Sequence, residues 1–276
     1  FCFAAVLILA GFVANRSCLG ILGIGVALLA ARGLRAAPAP ESLVRQMVTK
    51  YQKAGSFEER FTMSQVTKAG AQENKVNLTG RFAYQKPNRF VYRVDDPMMG
   101  MTAVSDGKTL WFCMNMMKQY TKQPAPAQLS GLAQAAPMLR TQLDPVAFLR
   151  GEDPLAAKPK VRLVGEEKVA GKPCHHLAWT QTVPSHMGGS PPRMNLDAWI
   201  GKSDLLLYQT RLVVSGSTGQ AKYTTTVTEA HTGMKVNQPV PGKTFTFTAP
   251  EGAKQVDKFG MPGAPGKPKP APSKAR

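Results

Sequence analysis

Acidic residues are scarce in this chain. Seventeen Asp and Glu stand against 35 Lys and Arg in 276 residues, a formal charge of +18, and no acid precedes Glu41 or follows Asp257. Such an excess favours anionic surfaces, whether phospholipid, acidic wall polymer or nucleic acid. Nucleic acid is excluded as a partner on sequence grounds. The basic residues are scattered through strands and turns, with no RNP-like aromatic signature, helix-turn-helix or zinc-finger spacing.

Cysteine and histidine are also few, four of each. Cys2 and Cys18 fall in an apolar leader, which leaves Cys113 and Cys174 in the body. Two cysteines allow one disulfide in an exported domain or two buried thiols, and burial is the habit of free cysteine. Cys174-His175-His176 is the most site-like cluster. Zinc takes about four such ligands, and neighbours on a strand point to opposite faces, so no metal centre is expected. His186 and His231 read as lying in or beside loops, without ligand spacing. There is no Gly-x-Ser-x-Gly elbow beside Ser185-His186 and no glycine-rich phosphate loop; Asp95-Asp96 precede Pro97 and read as a turn. No catalytic residue, metal or cofactor is expected, and the chain reads as a non-enzyme.

No uncharged apolar run reaches the roughly 20 residues that span a bilayer. Phe1–Ala14 and Cys18–Ala31 are separated by Asn15-Arg16-Ser17, and small residues follow at Ala36-Ala37-Pro38-Ala39. Residues 1–39 therefore read as an apolar leader, either a signal peptide or a membrane anchor. Either way the body is exported, to the periplasm or cell envelope. At the other end, residues 259–276 read as a disordered basic tail, with five prolines and four basic residues from Gly260 onward.

Between them, residues 40–258 carry the periodicity of one domain. Leu43, Val44, Met47, Val48 and Tyr51 recur at helical spacing after Pro40-Glu41-Ser42, and Ala54-Gly55 ends the helix. From Ser56 the period becomes two. Phe82 and Tyr84 alternate with Arg81 and Ala83; beyond Lys86-Pro87-Asn88, Phe90, Tyr92 and Val94 alternate with Val91 and Arg93. A three-residue loop with Asn88 left-handed sets Tyr84 opposite Phe90 and Phe82 opposite Tyr92. Asp106-Gly107 predicts a two-residue type I′ turn pairing Ser105 with Lys108 and Ala103 with Leu110, and a reversal at Met114–Met117 then sets Trp111 opposite Tyr120. Strand Thr109–Cys113 is apolar on both faces, so both need a cover.

Gln128–Ala136 and Asp144–Leu149 are short helical candidates, the second with Asp144 as cap and Pro145 in the first turn. Further strands are expected at Lys160–Val169, Cys174–Thr182, Met194–Ile200, Leu206–Ser215, Gln220–Ala230 and Phe245–Phe247, with Val183–Pro192 a loop. About ten strands and few helices indicate an α+β protein, mainly antiparallel β.

Four landmarks in order resemble a known family. They are Gly80-Arg81-Phe82 with Lys86-Pro87-Asn88-Arg89-Phe90; Asp106-Gly107-Lys108-Thr109-Leu110-Trp111 with Gln119-Tyr120; Trp199-Ile200 with Tyr208-Gln209; and Phe245-Thr246-Phe247 with Pro250-Glu251-Gly252. The order is similar to that of the bacterial lipoprotein-carrier superfamily (LolA/LolB-like), of which this chain reads as an exported member. The resemblance implies a curved, open half-barrel sheet with helices on its concave face and a hydrophobic cavity between them. By that resemblance Phe82, Tyr84, Phe90, Tyr92, Leu110 and Phe112 form the inward wall and meet a hydrophobic ligand, a lipid or lipoprotein acyl chain. An anionic membrane surface and an envelope protein are the other partners expected. The competing reading is an envelope-stress sensor or protein-interaction module that uses the same sheet to bind a membrane partner.

Overall fold

The computed structural model describes residues 39–132, 144–182, 193–218 and 221–259. Leader residues 1–38, tail residues 260–276 and the loop expected at Val183–Pro192 lie outside them, as does the part of the Gln128–Ala136 candidate after Leu132. Phe259, expected as the first residue of the tail, instead packs edge-on to Phe112 at 5.5 Å.

Helix α1 (Pro40–Lys53) buries Leu43, Val44, Met47, Val48 and Tyr51, the five residues at helical spacing. Ala54 turns to extended backbone and Gly55 donates its N–H to Asn237 Oδ1 at 2.7 Å, which ends the helix. Six strands follow as a meander: β1 (Ser56–Ala69), β2 (Gln72–Gln85), β3 (Arg89–Asp95), β4 (Met101–Ser105), β5 (Thr109–Met114) and β6 (Gln119–Pro124). A 3-10 turn at Leu129–Gly131 and helix α2 (Pro145–Leu149) precede a second meander. It comprises β7 (Arg162–Val169), β8 (Lys172–Thr182), β9 (Arg193–Gly201), β10 (Leu207–Thr218) and β11 (Ala221–Val236), and the two-residue β12 (Lys254–Gln255) comes last.

All twelve join one open sheet in the order β12-β6-β5-β4-β3-β2-β1-β11-β10-β9-β8-β7. The two meanders meet where β1 and β11 pair antiparallel, and β12 alone runs parallel, beside β6. Sequential hairpins explain this order, because each short turn returns the chain beside the strand it has just left. The fold is α+β and mainly antiparallel, a curved unclosed sheet with its helices on the concave side. Curvature lets α1 and α2 share one core with residues as distant in the sheet as Phe112 of β5 and Trp179 of β8.

The expected pairs Tyr84–Phe90 and Phe82–Tyr92 form, across a three-residue loop. Asn88 does not take the left-handed backbone, however. Its side-chain amide instead donates to Gly107 O and Pro126 O at 2.9 and 2.8 Å. Residues Ala170 and Gly171 make the β7–β8 turn with φ of +48° and +78°, the two positive values that a type I′ hairpin needs.

The registers of β4, β5 and β6 differ from expectation. Ser105 pairs with Leu110 and Ala103 with Phe112, while Trp111 faces Lys122 and Cys113 faces Tyr120. Between β4 and β5 the cause is the turn. Asp106 Oδ1 accepts the N–H groups of Lys108 and Thr109, both at 2.8 Å, so the loop consumes four residues rather than two. Between β5 and β6 the loop is Asn115–Lys118, with the Lys118 N–H donating to Asn115 O at 3.1 Å. Each register slips by two, which leaves every side chain on its expected face. Trp111 and Tyr120 still share an aromatic neighbour, because Phe247 stacks on Trp111 at 5.8 Å and lies 5.3 Å from Tyr120.

Phe245–Phe247 is not a strand. Gly242–Phe245 is a 3-10 turn, and the segment after it crosses the convex face. Phe245 packs there with Ala83, Val91, Val104 and Val240 in a second, smaller core. Strand β5 is thus covered on both sides, as its two apolar faces require.

Candidate ligand-binding face

The six residues expected on the inward wall come from β2, β3 and β5, and all face the concave side. Phe82, Tyr84, Phe90, Leu110 and Phe112 are at most 5% exposed, and half-buried Tyr92 packs against the same cluster. Period-two alternation puts them there, since residues i and i+2 of a strand share a face. Phe57 and Phe61 of β1 extend the wall, with Phe61 stacked on Tyr92 at 5.5 Å.

Among the described residues α1 and α2 close over it. Tyr51 of α1 lies edge-on to Phe57 at 5.3 Å and 5.7 Å from Phe148 of α2, and the Leu207 N–H donates to its hydroxyl at 3.0 Å. Asp144 caps α2 by accepting the Ala147 N–H at 2.6 Å. Where α1, α2, the 3-10 turn and the β2–β3 loop converge, a cleft of about 520 Å³ opens. Tyr84, Pro87, Leu129 and Leu149 give it apolar walls, with Lys86 and Arg150 beside them. Tyr84 therefore belongs both to the buried wall and to its opening.

The concave face also holds charge that the sequence pattern did not reveal. His231 lies inside β11, not in a loop, and its Nδ1 is 3.1 Å from Glu59 Oε2. Burial opposes the imidazolium, but the charge and hydrogen bond of Glu59 outweigh it and hold the His231 pKa up at about 9. Burial pushes Glu59 up despite His231, and half-buried Glu229 is pushed up to about 8 by burial and by Asp144 and Glu59. Burial also raises the Tyr92 phenol, aided by the charges of Asp144, Glu229 and Glu59.

The Cys174-His175-His176 triplet is divided between environments. Cys174 is a fully buried free thiol in the main core, and Cys113 is likewise buried and free. His176 is held by two carboxylates, Nδ1 at 2.9 Å from Glu167 and Nε2 at 2.8 Å from Asp197, and stacks on Trp199 at 4.3 Å. Arg211 completes the array, donating to Asp197 Oδ2. Its hydrogen bonds are reciprocal and internal, as in a satisfied polar network. Among the described residues no group of three or more His, Cys, Asp or Glu is arranged to hold a metal ion.

An open antiparallel sheet with its helices in the concavity, and an aromatic wall beneath them, defines the class of this protein. The chain belongs to the family described as "Predicted periplasmic protein (DUF2092)", which matches residues 41–258. It is an exported protein of the periplasm or cell envelope. None of its described helices is long and apolar enough to cross a membrane. No curated protein matches the chain. It is similar in structure to a LolA superfamily protein from Nitrosomonas europaea (13% identity, 76% of this chain and 99% of that one, TM-score 0.33). It is similar also to LprF from Mycobacterium bovis (14%, 79% and 98%, TM-score 0.39) and to lipoprotein LppX from Mycobacterium tuberculosis (12%, 75% and 99%, TM-score 0.34).

Proposed function

We infer that this is a non-enzymatic periplasmic protein that binds a hydrophobic ligand, an acyl chain, on the concave wall beneath α1 and α2. The observation that carries this reading is the cleft lined by Tyr84, which is also a member of the aromatic wall with Phe82, Phe90, Tyr92, Leu110 and Phe112. Among the described residues the cover over that wall comes from α1, α2 and the 3-10 turn. An acyl chain entering at Tyr84 would replace helix contacts with its own methylenes, a near exchange of apolar surface. Native mass spectrometry of the purified protein tests this directly. Co-purifying lipid, released when Leu149→Trp fills the cleft, is the expected result; lipid-free protein that binds no fatty acid overturns it.

A second reading rests on the sheet's free edge. Among the described residues β7 pairs only with β8, and Leu163 and Val164 on it are 41% and 45% exposed. Such an edge suits strand addition by an extended segment of a membrane protein. A peptide that protects the amides of β7 from hydrogen exchange would support it; protection confined to the concave face would reject it.

A further inference from the structure

The convex face carries a row of side chains that the concave wall does not explain. Arg60 pairs across the sheet with Arg81, Arg81 with Arg93, Arg93 with Thr102, Thr102 with Cys113, and Cys113 with Tyr120. Three arginines thus stand side by side on adjacent strands. Directly opposed residues in a sheet have Cβ atoms about 4.5–5.5 Å apart, where like charges repel. All three are exposed, and among the described residues only Arg93 has a carboxylate partner, Asp95 at 2.6 Å.

Beside this row lies a cleft of about 650 Å³, bounded above by the segment that follows the 3-10 turn at Gly242–Phe245. Arg81 and Arg93 form its charged floor, and Thr244, Thr246 and Thr248 offer hydroxyls from the covering segment. Its apolar part is Val91, Val104 and Phe247, which lie in the next row of the same face. The carboxylates near it are mostly engaged: Asp95 with Arg93, and Asp96 with the N–H groups of Met98 and Met99 at 2.9 and 2.6 Å. Glu251 also borders the cleft, on the covering segment that goes on to β12, and Lys118 borders it too.

The geometry points to a second binding site here, for a phosphate-bearing amphiphile: the phosphate bridges Arg81 and Arg93 with Arg60 alongside, and the apolar body lies on Val91, Val104 and Phe247. Guanidinium forks suit phosphate oxygens, and an anion between Arg81 and Arg93 offsets the repulsion between neighbouring guanidiniums, which Asp95 relieves at Arg93 alone. The site is independent of the concave wall, being on the other side of the sheet.

Calorimetric titration of the full chain with monomeric dihexanoyl phosphatidic acid and with inorganic phosphate tests it. One saturable site for the lipid is expected, with inorganic phosphate at least tenfold weaker. Arg81→Gln and Arg93→Gln should each weaken the lipid at least tenfold, whereas Lys168→Gln and Lys172→Gln, at the distant β7–β8 turn, should not. Leu149→Trp, which fills the concave cleft, should leave this affinity unchanged. Equal losses in the arginine and lysine variants would mean diffuse attraction and overturn the site. Inorganic phosphate as tight as the lipid would overturn its amphiphilic character. Loss of lipid binding in Leu149→Trp would return the ligand to the concave wall.

Discussion

His231 Nδ1 lies 3.1 Å from Glu59 Oε2 in the middle of the sheet, and the two side chains are 0% and 1% exposed. They meet because β11 and β1 pair antiparallel, with His231 opposite Phe61 and a break in register between Glu58 and Arg60. Glu229 precedes His231 by two residues on the same strand face, Tyr92 looks in from β3, and Asp144 and Arg150 flank α2 above. The concave core is therefore built round a proton as well as round apolar side chains.

That arrangement fixes the sign of a pH dependence. His231, Glu59 and Glu229 all hold protons more tightly folded than unfolded, with folded values of about 9 for His231 and about 8 for Glu229. The folded state binds more protons, so stability falls as pH rises. The His231 contribution is complete below its ordinary 6.5 and is lost as pH passes about 9. Asp106, Glu166 and Glu167 are shifted the other way, but they act only near and below the ordinary carboxylate range, and His175, lowered by burial, acts only up to about its ordinary 6.5. The urea midpoint should therefore drop between pH 7 and pH 9.5. A midpoint that is flat or rises over that range would contradict the shared proton.

Breaking the pair should cost more than removing it. His231→Leu strands Glu59 in the core, and an unpaired buried charge typically costs about 3–5 kcal/mol. Glu59→Met combined with His231→Leu removes both charges, so it should recover most of that loss and flatten the pH profile. Urea denaturation of both variants at pH 7 decides it; a double variant no more stable than the single one would mean the pair is not the source.

The β4–β5 turn depends on Gly107, whose φ is +99°. A β-branched residue resists that backbone, and such strain costs about 1–3 kcal/mol. Added bulk also meets Arg89 Cγ and Asn88 Oδ1, each 3.3 Å from where a Cβ would sit. Gly107→Val should lower the denaturation midpoint accordingly, while Gly171→Asn at the β7–β8 turn should be mild, since Asn tolerates positive φ. An unshifted midpoint for Gly107→Val would show that the loop can reform elsewhere.

Features set by backbone period were legible in the sequence. The α1 face and the Tyr84–Phe90 and Phe82–Tyr92 pairs follow from spacings of 3.6 and 2, which the backbone imposes whatever the tertiary fold. Loop length was not legible, because it turned on the side-chain bonds of Asp106 to Lys108 and Thr109. A slip of two residues leaves alternation unchanged, so the pattern could not register it. β12, two residues long and parallel, carries no period at all. His231 was hidden for another reason. β11 continues six residues beyond Ala230 to Val236, and its threonines and charges resemble a loop until β1 and β10 are placed on either side. The candidate wall was readable as a face; its charged centre appeared only when distant strands came together.

If the concave wall holds an acyl chain, its affinity must scale with chain length. Each methylene buried contributes up to about 0.8 kcal/mol, so fatty acids should gain roughly three- to fourfold per added carbon until the space is filled. Phe82→Glu tests the wall, since an unpaired carboxylate there opposes both chain and core. Phe82 is only 1% exposed, so that variant risks unfolding and does not stand alone. Leu149→Trp at the half-buried rim of the cleft is the companion, expected to keep the fold while weakening long chains more than short ones. Asn77→Glu, exposed on β2, is the control and should leave binding unchanged. Fluorescent-probe displacement on a C8–C18 series gives the answer. Affinity independent of length, or equal loss in Leu149→Trp and Asn77→Glu, would make the aromatic face ordinary core and leave the free edge at β7 as the functional surface.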